Sequence, residues 1–184
     1  MPESITYDDG QKEELHEGVL MMSPAPNMNH NIVMHNIVDI FRAYLKGKCC
    51  QAFGDHVDVF LDEKKRYQPD VTITCDKDKI RQDGIHGAPD LVVEILSRTT
   101  IFRDRGFKKD AYEVAGVKEY WIVDPVSRII EVYLNSESGF ILDKVYGAKV
   151  PGRDFDEEIE YLSLKISLYD DLVVDVRDVF SGIL

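Results

Sequence analysis

The stretch Pro89-Asp90-Leu91-Val92-Val93-Glu94-Ile95-Leu96-Ser97 most constrains the fold, because it is an apolar strand with a carboxylate fixed near its end. A Val/Leu/Ile run bounded by Gly87 and Pro89 before it and by Ser97 to Thr100 after it predicts a central strand covered on both faces. Side chains alternate along a strand, so Asp90, Val92, Glu94 and Leu96 share one face while Leu91, Val93 and Ile95 share the other. Glu94 therefore points into a covered layer. An ionised carboxylate there costs several kcal/mol, roughly, unless a cation, a metal or good hydrogen bonds compensate it. A salt bridge to a nearby Arg or Lys meets that need as well as a metal does, and the strand alone leaves both open.

The length of 184 residues suits one well-filled core, so a single domain spanning residues 1–184 is expected. No segment approaches the ~20 apolar residues of a membrane span. Met1 to Glu17 is polar and acidic, without the basic start and apolar middle of a secretory signal, which predicts a cytoplasmic protein. Cys49 and Cys50 are adjacent and Cys75 stands apart, a spacing that fits neither a disulfide framework nor paired zinc ligands. Reduced thiols are expected. The net charge of −12 argues against broad nonspecific attraction to nucleic acid. That charge is uneven, however: Arg98, Arg103, Arg105, Lys108 and Lys109 follow the Glu94 strand with only Asp104 among them, while the acid excess gathers after Asp154.

Along the chain, Gly18 to Ser23 reads as a short strand ending at Pro24 to Asn27, and Asn29 to Lys46 as a helix with apolar residues at helical spacing. His30 lies at the start of that helix, where a lone histidine is more often a capping or solvated residue than a ligand. Gln51 to Asp62 reads as one strand, and Val71 to Cys75 as a β-branched strand whose alternation groups Asp70, Thr72 and Thr74. Asp70 follows Pro69, a setting in which Asp commonly caps local backbone N–H groups. Asp76 to Gln82 reads as a helical turn. A helix over Ile101 to Ala115, strands over Glu119–Asp124, Arg128–Leu134 and Phe140–Tyr146, a last strand over Glu160–Leu164 and a closing helix over Val174–Phe180 complete the reading.

Two acids thus sit at the start of one strand and near the end of another, Asp70 and Glu94, 24 residues apart, with a lysine-bearing helix directly after. This suits metal-assisted phosphodiester cleavage. Mg²⁺ takes hard oxygen ligands, commonly one or two protein carboxylates and several waters, and a nearby lysine can orient the attacking water and stabilise charge developing on phosphorus.

The segments Glu17–Pro26 (EGVLMMSPAP) with His30, Pro69-Asp70, Ala88–Ser97 (APDLVVEILS), Asp104–Lys108 with Tyr112, and Ala115–Pro125 (AGVKEYWIVDP) resemble the Uma-two family of candidate endonucleases, within the restriction-endonuclease-like superfamily. The resemblance implies an α/β (α+β) fold with a mixed β-sheet flanked by helices, divalent-metal chemistry with Mg²⁺ or Mn²⁺, and Asp70 and Glu94 as the acids. His30 and Glu17 are further candidates for the site. The superfamily usually carries a lysine two residues after the second acid, but that position here is Leu96, and in the resembling family the lysine comes from the next helix. Helical phase gives an independent reading: at about 100° per residue, the apolar stripe of Phe107, Ala111, Tyr112, Val114 and Ala115 centres roughly 60° from Lys108 and about 160° from Lys109. Lys108 borders the buried face, whereas Lys109 faces solvent beside Glu113.

The leading expectation is a Mg²⁺-dependent endonuclease acting on DNA, with Asp70 and Glu94 as metal ligands, Lys108 beside the attacking water, and Arg98, Arg103 and Arg105 as nucleic-acid contacts. Enzymes that cut both strands often work as symmetric pairs, so a homodimer is expected. Two alternatives stand beside it: a nuclease-like fold used as a binding module with negligible turnover, and a hydrolase of a smaller phosphodiester or nucleotide, which the acidic charge suits better.

Overall fold

The structure, a computed structural model, describes residues 12–23, 25–54, 56–148 and 162–184. The described residues open with a hairpin of β1 (Lys12–His16) and β2 (Val19–Ser23), then run into α1 (Met28–Leu45). Short strands follow: β3 (Gln51–Phe53), β4 (Val59–Asp62), β5 (Lys65–Tyr67), β6 (Val71–Thr74), β7 (Ile80–Arg81) and β8 (Gly84–His86). The central strand β9 (Leu91–Ile95) leads to α2 (Ile101–Asp104) and α3 (Phe107–Ala115). Next come β10 (Glu119–Asp124), β11 (Ile129–Ser136) and β12 (Gly139–Gly147), and after the undescribed stretch β13 (Ser163–Lys165), β14 (Val173–Asp175) and α4 (Val176–Val179).

Among the described residues these strands form two six-stranded sheets, ordered β2-β1-β5-β4-β8-β7 and β12-β11-β10-β9-β6-β3, with β13 and β14 as a separate pair. The second sheet is mixed: β9 pairs parallel with β10 through the α2–α3 crossover and antiparallel with β6. A mixed sheet flanked by helices is the architecture expected from the sequence. The β9 alternation sorts its residues as its period requires. Leu91, Val93 and Ile95 join one core with α1 residues Val33, Ile37 and Phe41, with Trp121 of β10, and with the C-terminal residues Val176 and Phe180. Val92 and Leu96 join another with Tyr112 of α3 and Tyr120 and Ile122 of β10. Phe41 and Trp121 meet with ring centroids 5.5 Å apart, which makes Trp121 a core residue.

Several expectations need correction. The single strand over Gln51–Asp62 is two strands in different sheets, because His56 takes a left-handed backbone (φ 62°) that breaks the extended run. The helix over Ile101–Ala115 is interrupted at Gly106. There a Cβ would lie 2.6 Å from the Phe102 carbonyl oxygen, so only glycine permits this close turn between α2 and α3. Asp76 to Gln82 contributes a 3₁₀ turn over Lys77–Lys79 and then β7. The closing helix begins only at Val176, after β14; of the last strand, residues 160 and 161 lie outside the described residues, and the strand there is Ser163–Lys165.

The thiols are also corrected. Cys50 and Cys75 form a disulfide, leaving Cys49 as an exposed free cysteine. The cause is register: β3 and β6 pair antiparallel as Gln51↔Thr74 and Ala52↔Ile73, so Cys50 and Cys75 occupy the next cross-strand position. Among the described residues, no helix is long and apolar enough to cross a membrane.

Candidate active site

Strand register brings the two acids together. β6 and β9 pair as Val71↔Val93, Thr72↔Val92 and Ile73↔Leu91, and continuing that ladder by one step sets Asp70 opposite Glu94. Their sequence separation is the length of chain needed to leave β6, pass through β7 and β8 and return on β9. Asp70 and Glu94 are both 3% exposed. With Glu14, Lys12, His30 and Lys108 they line a cavity of about 650 Å³ whose rim includes Arg98, Thr99 and Thr100.

Asp70 is held on both oxygens. Its Oδ2 accepts from the backbone N–H of Ile95 at 2.7 Å and lies 3.1 Å from His30 Nε2. Its Oδ1 lies 2.6 Å from the Lys12 ammonium, which also reaches the Gln68 carbonyl at 3.3 Å. Burial alone would raise the Asp70 carboxyl, but Lys12 and then His30 more than offset this and hold it well below the usual carboxylate range.

Glu94 is surrounded differently. Its Oε1 lies 2.6 Å from Lys108 Nζ and accepts from the Tyr112 hydroxyl at 3.1 Å. Lys108 also donates to Glu14 Oε1 at 2.8 Å and lies 3.7 Å from Asp104 Oδ1. Glu14 is fixed in turn by the Gln68 N–H at 3.0 Å. Three buried carboxylates therefore share one ammonium. Burial pushes Glu94 well above its ordinary value, with repulsion from Asp104, Asp70 and Glu14 adding to it and Lys108 opposing. Burial would lower Lys108, yet Glu14, Glu94 and Asp104 carry it well above the ordinary lysine value. Both shifts express one fact: this half of the cavity carries surplus negative charge and holds protons tightly.

Local structure explains how each side chain arrives. Lys108 lies in the first turn of α3 and is 3% exposed, in keeping with the helical phase read from the sequence. Lys109 is turned away, its ammonium 3.9 Å from the centroid of the Tyr133 ring. Its expected neighbour Glu113 instead accepts from the Phe140 N–H. His30 is seated in the first turn of α1, its backbone N–H bonded to the Asn27 side chain at 3.0 Å, and its Nδ1 is buried without a hydrogen-bond partner. Leu96 shares the face of Glu94 and packs in the Tyr112 core.

The remaining candidates separate. Glu17 (φ 48°) and Gly18 (φ 78°) form the two-residue turn of the β1–β2 hairpin, and the Glu17 side chain, 55% exposed, pairs with Lys65 at 2.8 Å. It stands outside the cavity. Arg98 stands at the cavity rim; Arg103 donates to the Met22 carbonyl and Ser23 Oγ; Arg105 makes a two-pronged pair with Glu131 at 2.7 and 2.8 Å. Sequence reasoning missed Lys12, Glu14 and Asp104. The alternation of Lys12, Glu14 and His16 ahead of the Glu17-Gly18 turn is the signal that could have found the first two.

Hard oxygen donors of one sign around an open cavity fit a small divalent cation such as Mg²⁺ or Mn²⁺. Among the described residues, no group of three or more His, Cys, Asp or Glu is placed to hold a metal ion as it stands, and Asp70 and Glu94 each face an ammonium.

The chain belongs to the Uma2 family, described as "Putative restriction endonuclease", whose profile matches residues 3–164. It is 25% identical over 175 residues to the uncharacterized protein slr1290 of Synechocystis sp., covering 93% of this chain and 88% of that protein. Its structure is similar to a crystal structure of a "putative nuclease belonging to DUF820" from Anabaena variabilis, with a TM-score of 0.67 and 20% identity over 94% of this chain and 91% of the other. That second likeness bears on the fold.

Proposed function

We propose that the protein is a divalent-metal-dependent endonuclease that hydrolyses DNA phosphodiester bonds. The observation that carries this reading is Lys108, buried between Glu14 and Glu94 on the wall of an open cavity that Asp70 also lines. A purely structural ion pair needs one carboxylate per ammonium. Here Glu14, Glu94 and Asp104 crowd a single lysine, an arrangement that stores unbalanced negative charge in a cavity a phosphate can enter.

Glu94, Asp70 and Glu14 would hold Mg²⁺ or Mn²⁺. Such an ion supplies Lewis acidity toward a phosphoryl oxygen and acidifies a water. The protein's own groups do the rest. Lys108 keeps its proton beside Glu94 and offers a fixed positive charge to the oxygens that become more negative as phosphorus turns five-coordinate. Tyr112 donates to Glu94 and holds its orientation, while His30 and the Ile95 N–H fix Asp70. Arg98, at the rim, contacts the flanking phosphate. The test is conversion of supercoiled plasmid in Mg²⁺, with chelator and Asp70→Asn as controls: cutting that needs both metal and Asp70 supports the reading, and cutting that survives either loss overturns it.

The net charge of −12 favours a second reading, a smaller phosphodiester as substrate. Turnover of a dinucleotide with an intact plasmid would select it.

A further inference from the structure

The Asp70 side of the cavity carries an inference that rests on the metal reading above and goes beyond it. We propose that Lys12 is a built-in occupant of the cation position at Asp70, which a divalent metal must expel in order to bind. The metal-free protein is then held in a self-closed state by its own strand β1.

Four observations support this. The Lys12 ammonium touches two oxygens of the kinds a hard cation uses, Asp70 Oδ1 at 2.6 Å and the Gln68 carbonyl at 3.3 Å. Asp70 Oδ2 already serves the Ile95 N–H and His30, which leaves Oδ1, the oxygen that Lys12 holds, for a metal. Lys12 and Asp70 both line the cavity, so a displaced ammonium has open space to enter. Lys12 is also the first residue of β1, on a flexible four-carbon stem, whereas Lys108 sits within a helix in the buried Tyr112 core. An ammonium and a divalent ion on the same carboxylate oxygen stand close enough to repel each other strongly, so the two compete for Asp70 Oδ1. The apparent metal affinity is therefore reduced by the fraction of molecules in which Lys12 has left Asp70.

The device differs from a lysine that merely orients Asp70. An orienting lysine stays in place when metal arrives and its loss weakens binding, while an occupant leaves and its loss tightens binding. Mn²⁺ titration calorimetry on the wild type and Lys12→Met, combined with mass-spectrometric measurement of amine labelling at Lys12 and Lys108, separates the two. The expected result is Mn²⁺ binding to Lys12→Met on the order of ten-fold tighter than to the wild type, with labelling of wild-type Lys12 rising as Mn²⁺ saturates the site and Lys108 remaining protected. Equal or weaker binding by the variant overturns the proposal. So does labelling of Lys12 that stays level or falls on saturation, a result the wild type supplies even if the variant does not fold. Absence of Mn²⁺ binding by both proteins overturns the metal reading itself, and this inference with it.

Discussion

Asp70 and Glu94 face one another across paired strands with the same exposure, yet their surroundings push their carboxyls in opposite directions. Around Asp70, one ammonium answers one carboxylate: Lys12 pairs with Oδ1, while His30 and a backbone N–H complete the bonding of Oδ2. Around Glu94, Glu14 and Asp104 compete for the same Lys108. The first half pairs one carboxylate with one ammonium, whereas the second sets three carboxylates around one. Burial alone does not decide what a buried acid does; the count of neighbouring charges does.

The largest effect is expected in catalysis. Lys108→Ala should lower single-turnover cleavage by about 10²–10³-fold, the scale of removing one preorganised stabilising group, while Lys109→Ala, whose ammonium rests on Tyr133, should leave the rate near wild type. Adding Leu96→Lys to Lys108→Ala should restore part of the rate, because residue 96 shares the face of Glu94. If Lys109→Ala is the damaging change, α3 delivers the wrong lysine in this account.

Next comes the stability of the metal-free protein. Asp70→Asn breaks the buried Lys12–Asp70 pair and should cost about 3–5 kcal/mol, the usual range for such a loss. Glu94→Gln removes one of three competing acids and should leave stability level or higher. Chemical denaturation in chelator measures both; equal losses would erase the distinction between the two halves.

The pH dependence follows from the same shifts. Asp70 is depressed in the folded state, so its contribution is present above its unfolded value of about 3.9 and is lost as pH falls toward its folded one. Glu94 is raised, so its contribution is present below its unfolded value of about 4.3 and is lost as pH rises through its folded one. The stability gap between Glu94→Gln and the wild type should therefore widen in favour of the variant from about pH 5 to pH 8. A gap that narrows over this range would mean Glu94 is satisfied as an anion.

How much of this was legible in the sequence depended on whether the signal was local. The parity of β9 and the phase of Lys108 were readable, because both are periodicities within a single element. The pairing of Asp70 with Glu94 was legible only as a spacing, since the β6–β9 register that makes them neighbours is not written in either strand. The Cys50–Cys75 bond was missed for that reason as well. Lys12 and Glu14 were hidden because β1 reads Lys-Glu-Glu-Leu-His, polar enough to pass for a solvated terminus, although its inward-facing charges find partners across the cavity. Asp104 was placed on a continuous helix, and the turn at Gly106 is what brings it to Lys108.

A smaller effect concerns the rim. Arg98→Ala should weaken DNA binding a few-fold and reduce the slope of log affinity against log salt by about 1, as one lost phosphate contact does. Arg105→Ala, already engaged with Glu131, should leave the slope unchanged. Anisotropy titrations across a salt series in Ca²⁺ would show whether the two arginines differ.

The most direct measurement of the central claim is a crystal structure of the protein soaked in Mn²⁺, read by its anomalous signal. One strong peak is expected within coordinating distance of both Asp70 and Glu94, with Lys108 retained beside Glu94. A bound metal elsewhere, or an Asp70–Lys12 and Glu94–Lys108 arrangement unchanged in Mn²⁺ that saturates the protein in solution, would contradict it.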